Sequence, residues 1–202
     1  MSKLKTKNQN TIYYILYTIP FILAFLERTV FDLGPNVELL TSAMILSAFT
    51  LNRKWTFALT FLVIALSDRV IGNSKILLFT WSGFLIPAFF SSSVVKTLYS
   101  KFDIQHSRKI FTGAFLTTLG ISVNILFYLW TNFGVWLLDS FGMYTKDLKG
   151  LILCYINGLP FLKNEVFSSL LFIPIGYFVI EAVTKILRNL NLNKNSRFQE
   201  SS

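Results

Sequence analysis

Residues 110–138 read IFTGAFLTTLGISVNILFYLWTNFGVWLL and include no charged side chain. A helix needs about 20 consecutive apolar residues to cross a bilayer, so this stretch predicts a transmembrane helix. Five more apolar runs surround it, at 11–31, 37–51, 55–71, 76–95 and 166–187, and they carry charges only near their ends. We therefore predict an all-α membrane protein with six transmembrane helices. In this prediction the membrane domain covers 11–188, between a basic N-terminus (1–10) and a disordered tail (189–202).

The composition agrees with a membrane protein and excludes several other classes. Hydrophobic residues make up 53% of the chain and charged residues 14%, whereas soluble domains carry about 25% charge. Intrinsic disorder is excluded because it requires low hydrophobicity and high charge. The chain has one Cys and one His, which excludes an internal disulfide and a two-histidine metal site. We predict no metal and no cofactor.

The positive charge is distributed as a membrane topology signal. With the N-terminus in the cytoplasm, 13 of the 19 Lys and Arg residues but only three of the ten acids fall inside, so the inner segments sum to +10. An excess of Lys and Arg in cytoplasmic segments is the general rule for membrane proteins. We expect a multi-pass protein of the bacterial plasma membrane with both termini cytoplasmic. The basic residues are expected to face anionic lipid headgroups, not nucleic acid.

The segment between the fifth and sixth runs, 131–165, is expected to be a long outer loop. Within it, 148–162 is apolar but shorter than a typical span, and it includes Gly158 and Pro160. A seventh crossing would move the basic tail outside, against the charge rule. We therefore predict a re-entrant or surface-lying helix that caps the bundle.

Two polar features within the apolar runs have more than one interpretation. Gly113, Thr117, Gly120 and Asn124 share one helical face, and small residues there favour close helix packing. The Asn124 amide needs a partner in hydrocarbon, which allows it to form the floor of a binding cavity. Asp68, at the end of the third run, either joins a pocket or pairs with a neighbouring arginine at the outer interface.

The block NFGVWLLDSFGMYTKDLKGLILCYINGLPFLKNEVFSSLLF, residues 132–172, resembles a family of small bacterial membrane proteins assigned to transport. Those proteins are similar to the S components, or substrate-capture subunits, of energy-coupling-factor transporters. Ser169 stands where that family often has Asp. The matching positions are Asn132, Phe133, Val135, Trp136, Leu137, Met143, Tyr144, Leu148, Gly150, Leu151, Cys154, Tyr155, Leu159, Pro160, Phe161 and Asn164.

This resemblance implies a subunit that binds a solute near the outer face. It also implies docking on a membrane scaffold that two cytoplasmic ATPases drive. A pocket for an organic solute combines aromatic walls with a few fixed polar groups, so we predict a small, vitamin-like solute. The predicted site comprises stacking walls, amides, a floor and one carboxylate: Trp136, Tyr144, Tyr155, Asn132, Asn157, Asn164, Asn124 and Asp68.

Two other functional classes were weighed against solute capture. One is a structural membrane scaffold of the cell-envelope machinery, in which partner proteins take the place of a solute. The other is a membrane-embedded maturation enzyme, which the absence of an HExxH, GxSxG or Walker motif disfavours. We expect no enzymatic activity, so energy for transport would come from partner subunits.

Overall fold

The computed structural model describes residues 2–31, 33–48, 51–72, 76–139 and 142–200. Side chains are described from residue 14 to residue 189, except at 105 and in the gaps between those ranges. Within this part of the chain all regular structure is helical, as the sequence predicts. The elements are α1 (Ser2–Leu26) with a π-helical extension (Glu27–Phe31), α2 (Leu40–Ser47), α3 (Arg53–Ile71), α4 (Leu77–Lys101), a 3₁₀ turn (Ile104–His106), α5 (Lys109–Leu138) and α6 (Leu148–Glu200).

Local sequence signals begin and end several of these helices. The side chain of Asn52 accepts hydrogen bonds from the backbone N–H groups of Lys54 and Trp55, which caps the start of α3. At the other end of α3, Gly72 has a φ of 74°, a conformation that glycine adopts without strain. The carboxylate of Asp147 accepts the N–H of Gly150 at 2.8 Å and so begins α6.

The short helix α2 lies at the centre of the bundle. All eight of its residues are buried, and it contacts α1, α3, α4, α5 and α6. Leu40 and Met44 belong to one apolar cluster with Phe21 and Phe84. Ile45 belongs to a second cluster, formed with α5 and α6. The α2 helix therefore joins the two halves of the core.

The number of helices suited to cross a membrane is smaller than six. Four described segments have the length and apolar composition for it: Tyr14–Phe31, Leu77–Lys101, Lys109–Leu138 and Leu148–Asn189. The α2 helix has eight residues and is about 12 Å long, against a hydrocarbon core of about 30 Å. The apolar run 37–51 is thus explained by burial in protein. The α3 helix is long enough, but it carries charged residues at both ends.

The predicted re-entrant or surface helix at 148–162 is not a separate element. These residues form the first turns of α6, which continues without interruption to Glu200. Pro160 lies inside this helix. Prolines are tolerated in membrane helices where neighbouring groups satisfy the backbone carbonyl that the proline leaves free. Residues 131–138 likewise belong to α5. The connection between the two helices is therefore much shorter than the predicted outer loop, 131–165.

The tail predicted to be disordered also differs from the structure. The backbone of residues 189–200 continues α6 as helix. No Gly or Pro follows Gly176 in the sequence, so two of the residues that commonly end a helix are missing from this stretch.

Candidate functional site

A cavity of about 320 Å³ lies at the end of the bundle where α1 and α3 end and α4 begins. We call this end the cavity end. Five helices and the loop before α2 surround the cavity, so its walls come from distant parts of the sequence. Its lining residues are Glu27, Arg28, Gly34, Pro35, Asn36, Val37, Glu38, Ile71, Ile76, Thr80, Phe84, Phe127, Thr131 and Glu165.

Arg28 is the cation of this site and is held by three groups. Its Nη2 donates to Asp68 Oδ1 at 3.0 Å, and its Nε donates to Ser67 Oγ at 2.9 Å. Its Nη1 lies 3.9 Å from Glu38 Oε2. Only 12% of the Arg28 side chain is exposed. The π-helical turn at the end of α1 carries Arg28, and such turns occur frequently at functional sites.

Asp68 lies behind Arg28 and does not itself line the cavity. Its Oδ1 accepts from Arg28, and its Oδ2 accepts from Trp81 Nε1 at 2.7 Å. Two charge-assisted bonds of this kind hold a buried carboxylate firmly. Of the two interpretations of Asp68, pairing with a neighbouring arginine is the one observed, and this arginine lines the cavity.

Glu38 stands at the entry to α2. Its Oε1 accepts from the Thr41 hydroxyl at 2.7 Å, and its backbone N–H donates to Ser168 Oγ at 3.2 Å. Five successive residues of this loop, 34–38, line the cavity. Asn36 adopts a φ of 57°, within the left-handed region that asparagine tolerates better than most residues.

Glu165 enters the cavity from the middle of α6. The residue is 3% exposed, and its Oε1 accepts from Asn36 Nδ2 at 2.7 Å. Its Oε2 is buried and has no hydrogen-bond partner among the described residues. Glu27, on α1, is also buried and lines the same space.

Charge in the site is unbalanced. Glu27, Glu38, Glu165 and the adjacent Asp68 provide four carboxylates, against the single guanidinium of Arg28 among the described lining residues. Phe84 and Phe127 add apolar walls and stack at a centroid distance of 4.3 Å. The Arg28 guanidinium lies 5.9 Å from the Phe84 ring centroid. No group of His, Cys, Asp and Glu among the described residues is arranged to hold a metal ion.

Three predicted site residues border this cavity through hydrogen bonds. Asp68 bonds to Arg28. Asn164 Nδ2 donates to the Pro35 carbonyl at 2.8 Å, and Asn124 Nδ2 donates to the Glu165 carbonyl at 2.7 Å. Asn124 also donates to Ser169 Oγ at 2.8 Å, so it joins α5 to α6. None of the three residues is part of the cavity wall.

The other five predicted residues lie in the paired ends of α5 and α6, residues 128–139 and 142–158, which we call the hairpin. Asn132 Nδ2 donates to the Tyr128 carbonyl at 2.9 Å, and Trp136 Nε1 donates to the Thr145 carbonyl at 2.9 Å. The Tyr155 hydroxyl donates to the Leu129 carbonyl at 3.0 Å, and Asn157 Nδ2 donates to the Tyr144 hydroxyl at 3.4 Å. The bonds of Trp136 and Tyr155 join the two arms of the hairpin, and none of the five residues lines the cavity.

Sequence reasoning missed the residues that line the cavity, above all Glu165, Glu38 and Arg28. A usable signal was present: isolated charges stand at the edges of otherwise apolar runs. Ionisable residues at membrane depth are functional candidates by default. On sequence grounds, Glu165 falls at the end of the predicted outer loop, 131–165, and Arg28 and Glu38 fall at the ends of two apolar runs. Those positions do not predict that the fold brings the three residues together.

A profile described as "Family of unknown function (DUF6580)" matches residues 6–190. No curated protein and no solved structure matches the chain. The profile covers the described bundle, including every residue of the cavity wall. The chain therefore belongs to the DUF6580 family.

Proposed function

We propose that this protein is a solute-capture subunit of a bacterial membrane transport system, similar to the S components of energy-coupling-factor transporters. The observation that supports this function best is the cavity of about 320 Å³ with buried charged groups. Pockets for small organic ligands begin near about 300 Å³ and combine apolar walls with a few oriented polar groups.

The proposed topology gives the cavity access from outside the cell. With both termini cytoplasmic, the loop before α2 (33–39), the end of α3 and the start of α4 face outward, and they meet at the cavity end. The chain then passes the membrane six times, with the apolar run 37–51, which includes α2, forming the second pass. Irregular backbone at membrane depth is tolerated where protein covers it, and α2 is buried along its whole length.

A structural scaffold of the cell envelope is the competing function. An apolar groove of about 430 Å³ between α1, α2 and α6 favours it, since such a groove would accept a helix of a partner. The same groove would serve a capture subunit that docks on a transmembrane scaffold with cytoplasmic ATPases. The distinguishing property is a retained solute, which the proposed capture function requires and a scaffold does not.

The test is native mass spectrometry of the protein extracted from its own membranes. We expect a bound small molecule on the wild-type protein. Thr131 lines the cavity, so Thr131→Leu should fill it and displace that molecule. Thr118→Leu is the matched control, because Thr118 is an exposed residue of the same helix and also bonds to a carbonyl four residues earlier.

Two results would contradict solute capture in this cavity. A wild-type protein without any bound mass would favour the scaffold function. A bound mass that persists in Thr131→Leu as it does in Thr118→Leu would put the solute elsewhere. Trp136→Ala should retain the solute, because Trp136 belongs to the hairpin and not to the cavity wall.

A further inference from the structure

We propose that the solute of this cavity is an organic cation, a molecule with an ammonium group and an apolar body. This inference rests on the proposed capture function and adds the chemical class of the ligand. Among the described residues, three observations support it: carboxylates outnumber the guanidinium at the cavity, the buried Oε2 of Glu165 has no hydrogen-bond partner, and aromatic rings line the same cavity.

The carboxylates exceed the guanidinium that could neutralise them. Arg28 is engaged by Asp68 and Ser67 and lies near Glu38. Glu165 is a further acid on the cavity wall, and its Oε2 has no hydrogen-bond partner among the described residues. A buried carboxylate is costly as an anion unless a cation pairs with it, so a cation that enters the cavity stabilises the ionised form and an anion is opposed.

Glu165 provides the point of attachment. The residue is 3% exposed, and Oε2 has no hydrogen-bond partner among the described residues. Oε1 is held by Asn36, which comes from the loop before α2. Asn124, on α5, donates to the Glu165 backbone carbonyl. The carboxylate is therefore fixed in position with one oxygen left to accept from a donor, and an ammonium N–H group is such a donor.

The aromatic walls suit the body of the same molecule. Phe84 and Phe127 line the cavity beside Ile71 and Ile76. The faces of phenyl rings attract cations within about 6 Å, and the Arg28 guanidinium already lies at 5.9 Å from the Phe84 centroid. A bare metal ion has no apolar body to pack against these walls, and the described acids form no metal-binding group.

Anionic solutes are disfavoured because the described base that could receive them is occupied. Each of the three guanidinium nitrogens of Arg28 faces a carboxylate or a hydroxyl of the protein. A carboxylate or phosphate ligand would have to displace Asp68, which Trp81 also holds. The charge of a solute therefore decides whether it can bind in this cavity.

The test uses the full chain in lipid nanodiscs and a small-molecule extract of the cells that make it. The extract is divided into molecules retained by a cation exchanger, molecules retained by an anion exchanger, and molecules retained by neither. Each fraction is added in a dilution series while thermal unfolding is followed. We expect the cation fraction alone to raise the unfolding temperature.

Glu165→Gln should shift the half-saturating amount of the cation fraction by at least about tenfold, since it removes a charge-assisted hydrogen bond. Glutamine keeps an oxygen for Asn36, which preserves the local fold. Glu181→Gln is the matched control, with the same substitution in α6 about 24 Å away, on a side chain that pairs with Lys109. Glu27→Gln, on α1, is the second variant if Glu165→Gln does not fold.

Each outcome decides the inference. A shift by the neutral or anionic fraction overturns the cation class and leaves solute capture in place. The site is overturned if the cation fraction raises the unfolding temperature equally in the wild type, Glu165→Gln and Glu27→Gln. That result is also expected if Glu165 stays protonated and carries no charge. No shift by any fraction, together with no retained mass on the native protein, overturns the capture function as well.

Discussion

In the hairpin of α5 and α6, polar side chains bond mainly to main-chain carbonyls of the facing or preceding turn. Asn132, Trp136 and Tyr155 all donate in this way. Around the cavity, charged side chains bond to one another, and Glu165 keeps one oxygen without a partner among the described residues. A fully bonded network rigidifies a bundle, whereas an incompletely bonded one can receive a ligand. The difference separates a supporting region from a binding region.

The largest effect is expected from Arg28. Arg28→Met removes the cation that pairs with the buried carboxylate of Asp68 and lies near the partly buried Glu38, and losing one partner of a buried pair costs about 3–5 kcal/mol. The expected result is a large fall in the unfolding free energy, measured by denaturant titration in mild detergent. Arg69→Met is the control, because Arg69 is exposed in the last turn of α3. Equal losses in the two variants would contradict the buried pair.

A smaller effect is expected from a close contact inside the hairpin, between Gly158 and Asn132. A Cβ on Gly158 would overlap the Asn132 amide, so Gly158→Ala should destabilise the protein by about 1–3 kcal/mol through overpacking. Adding Asn132→Ala removes the overlap and should restore part of the loss. Solute binding should persist in both variants. If a folded variant no longer binds the solute, the binding site lies in the hairpin, as the resemblance to transport proteins predicts.

The sequence predicts the helical class, the membrane character and the small-residue packing face of α5, because these depend on local composition and spacing. Gly120, for example, lies against Ser169 and Ile173 of α6. It does not predict the cavity, whose walls meet only in the folded chain: Asn36 and Glu165 are 129 positions apart. Nor can hydropathy separate a helix buried in protein from one that faces lipid, which is why the eight-residue helix α2 resembled a full-length transmembrane helix.

Asn124 lies between the cavity and the hairpin, and its substitution can be compared with that of a hairpin asparagine, Asn157. Asn124 donates to the Glu165 carbonyl and to Ser169 Oγ, so Asn124→Leu should cost about 1–2 kcal/mol of unfolding free energy. Asn157→Leu should cost less than about 0.5 kcal/mol, because Asn157 is exposed and makes one bond of 3.4 Å. Denaturant titration of both variants measures the difference. Equal costs would mean that Asn124 is no more constrained than a hairpin asparagine.

The smallest effect concerns Asp147, at the turn of the hairpin. The N–H of Gly150 and the hydroxyl of Thr145 donate to its carboxylate and lower the pKa of Asp147. A carboxyl whose pKa is lower in the folded chain stabilises the fold above its unfolded pKa of about 3.9, and this contribution is lost as the pH falls through the folded pKa. Amide hydrogen exchange at Gly150 should therefore lose protection below about pH 4, relative to the Asp147→Asn variant at the same pH. Because Asp147 is exposed, the loss should stay within the first turn of α6, and solute binding should not change. A change in binding over this range would mean that the hairpin turn is coupled to the cavity, and the division between supporting and binding regions would then be wrong.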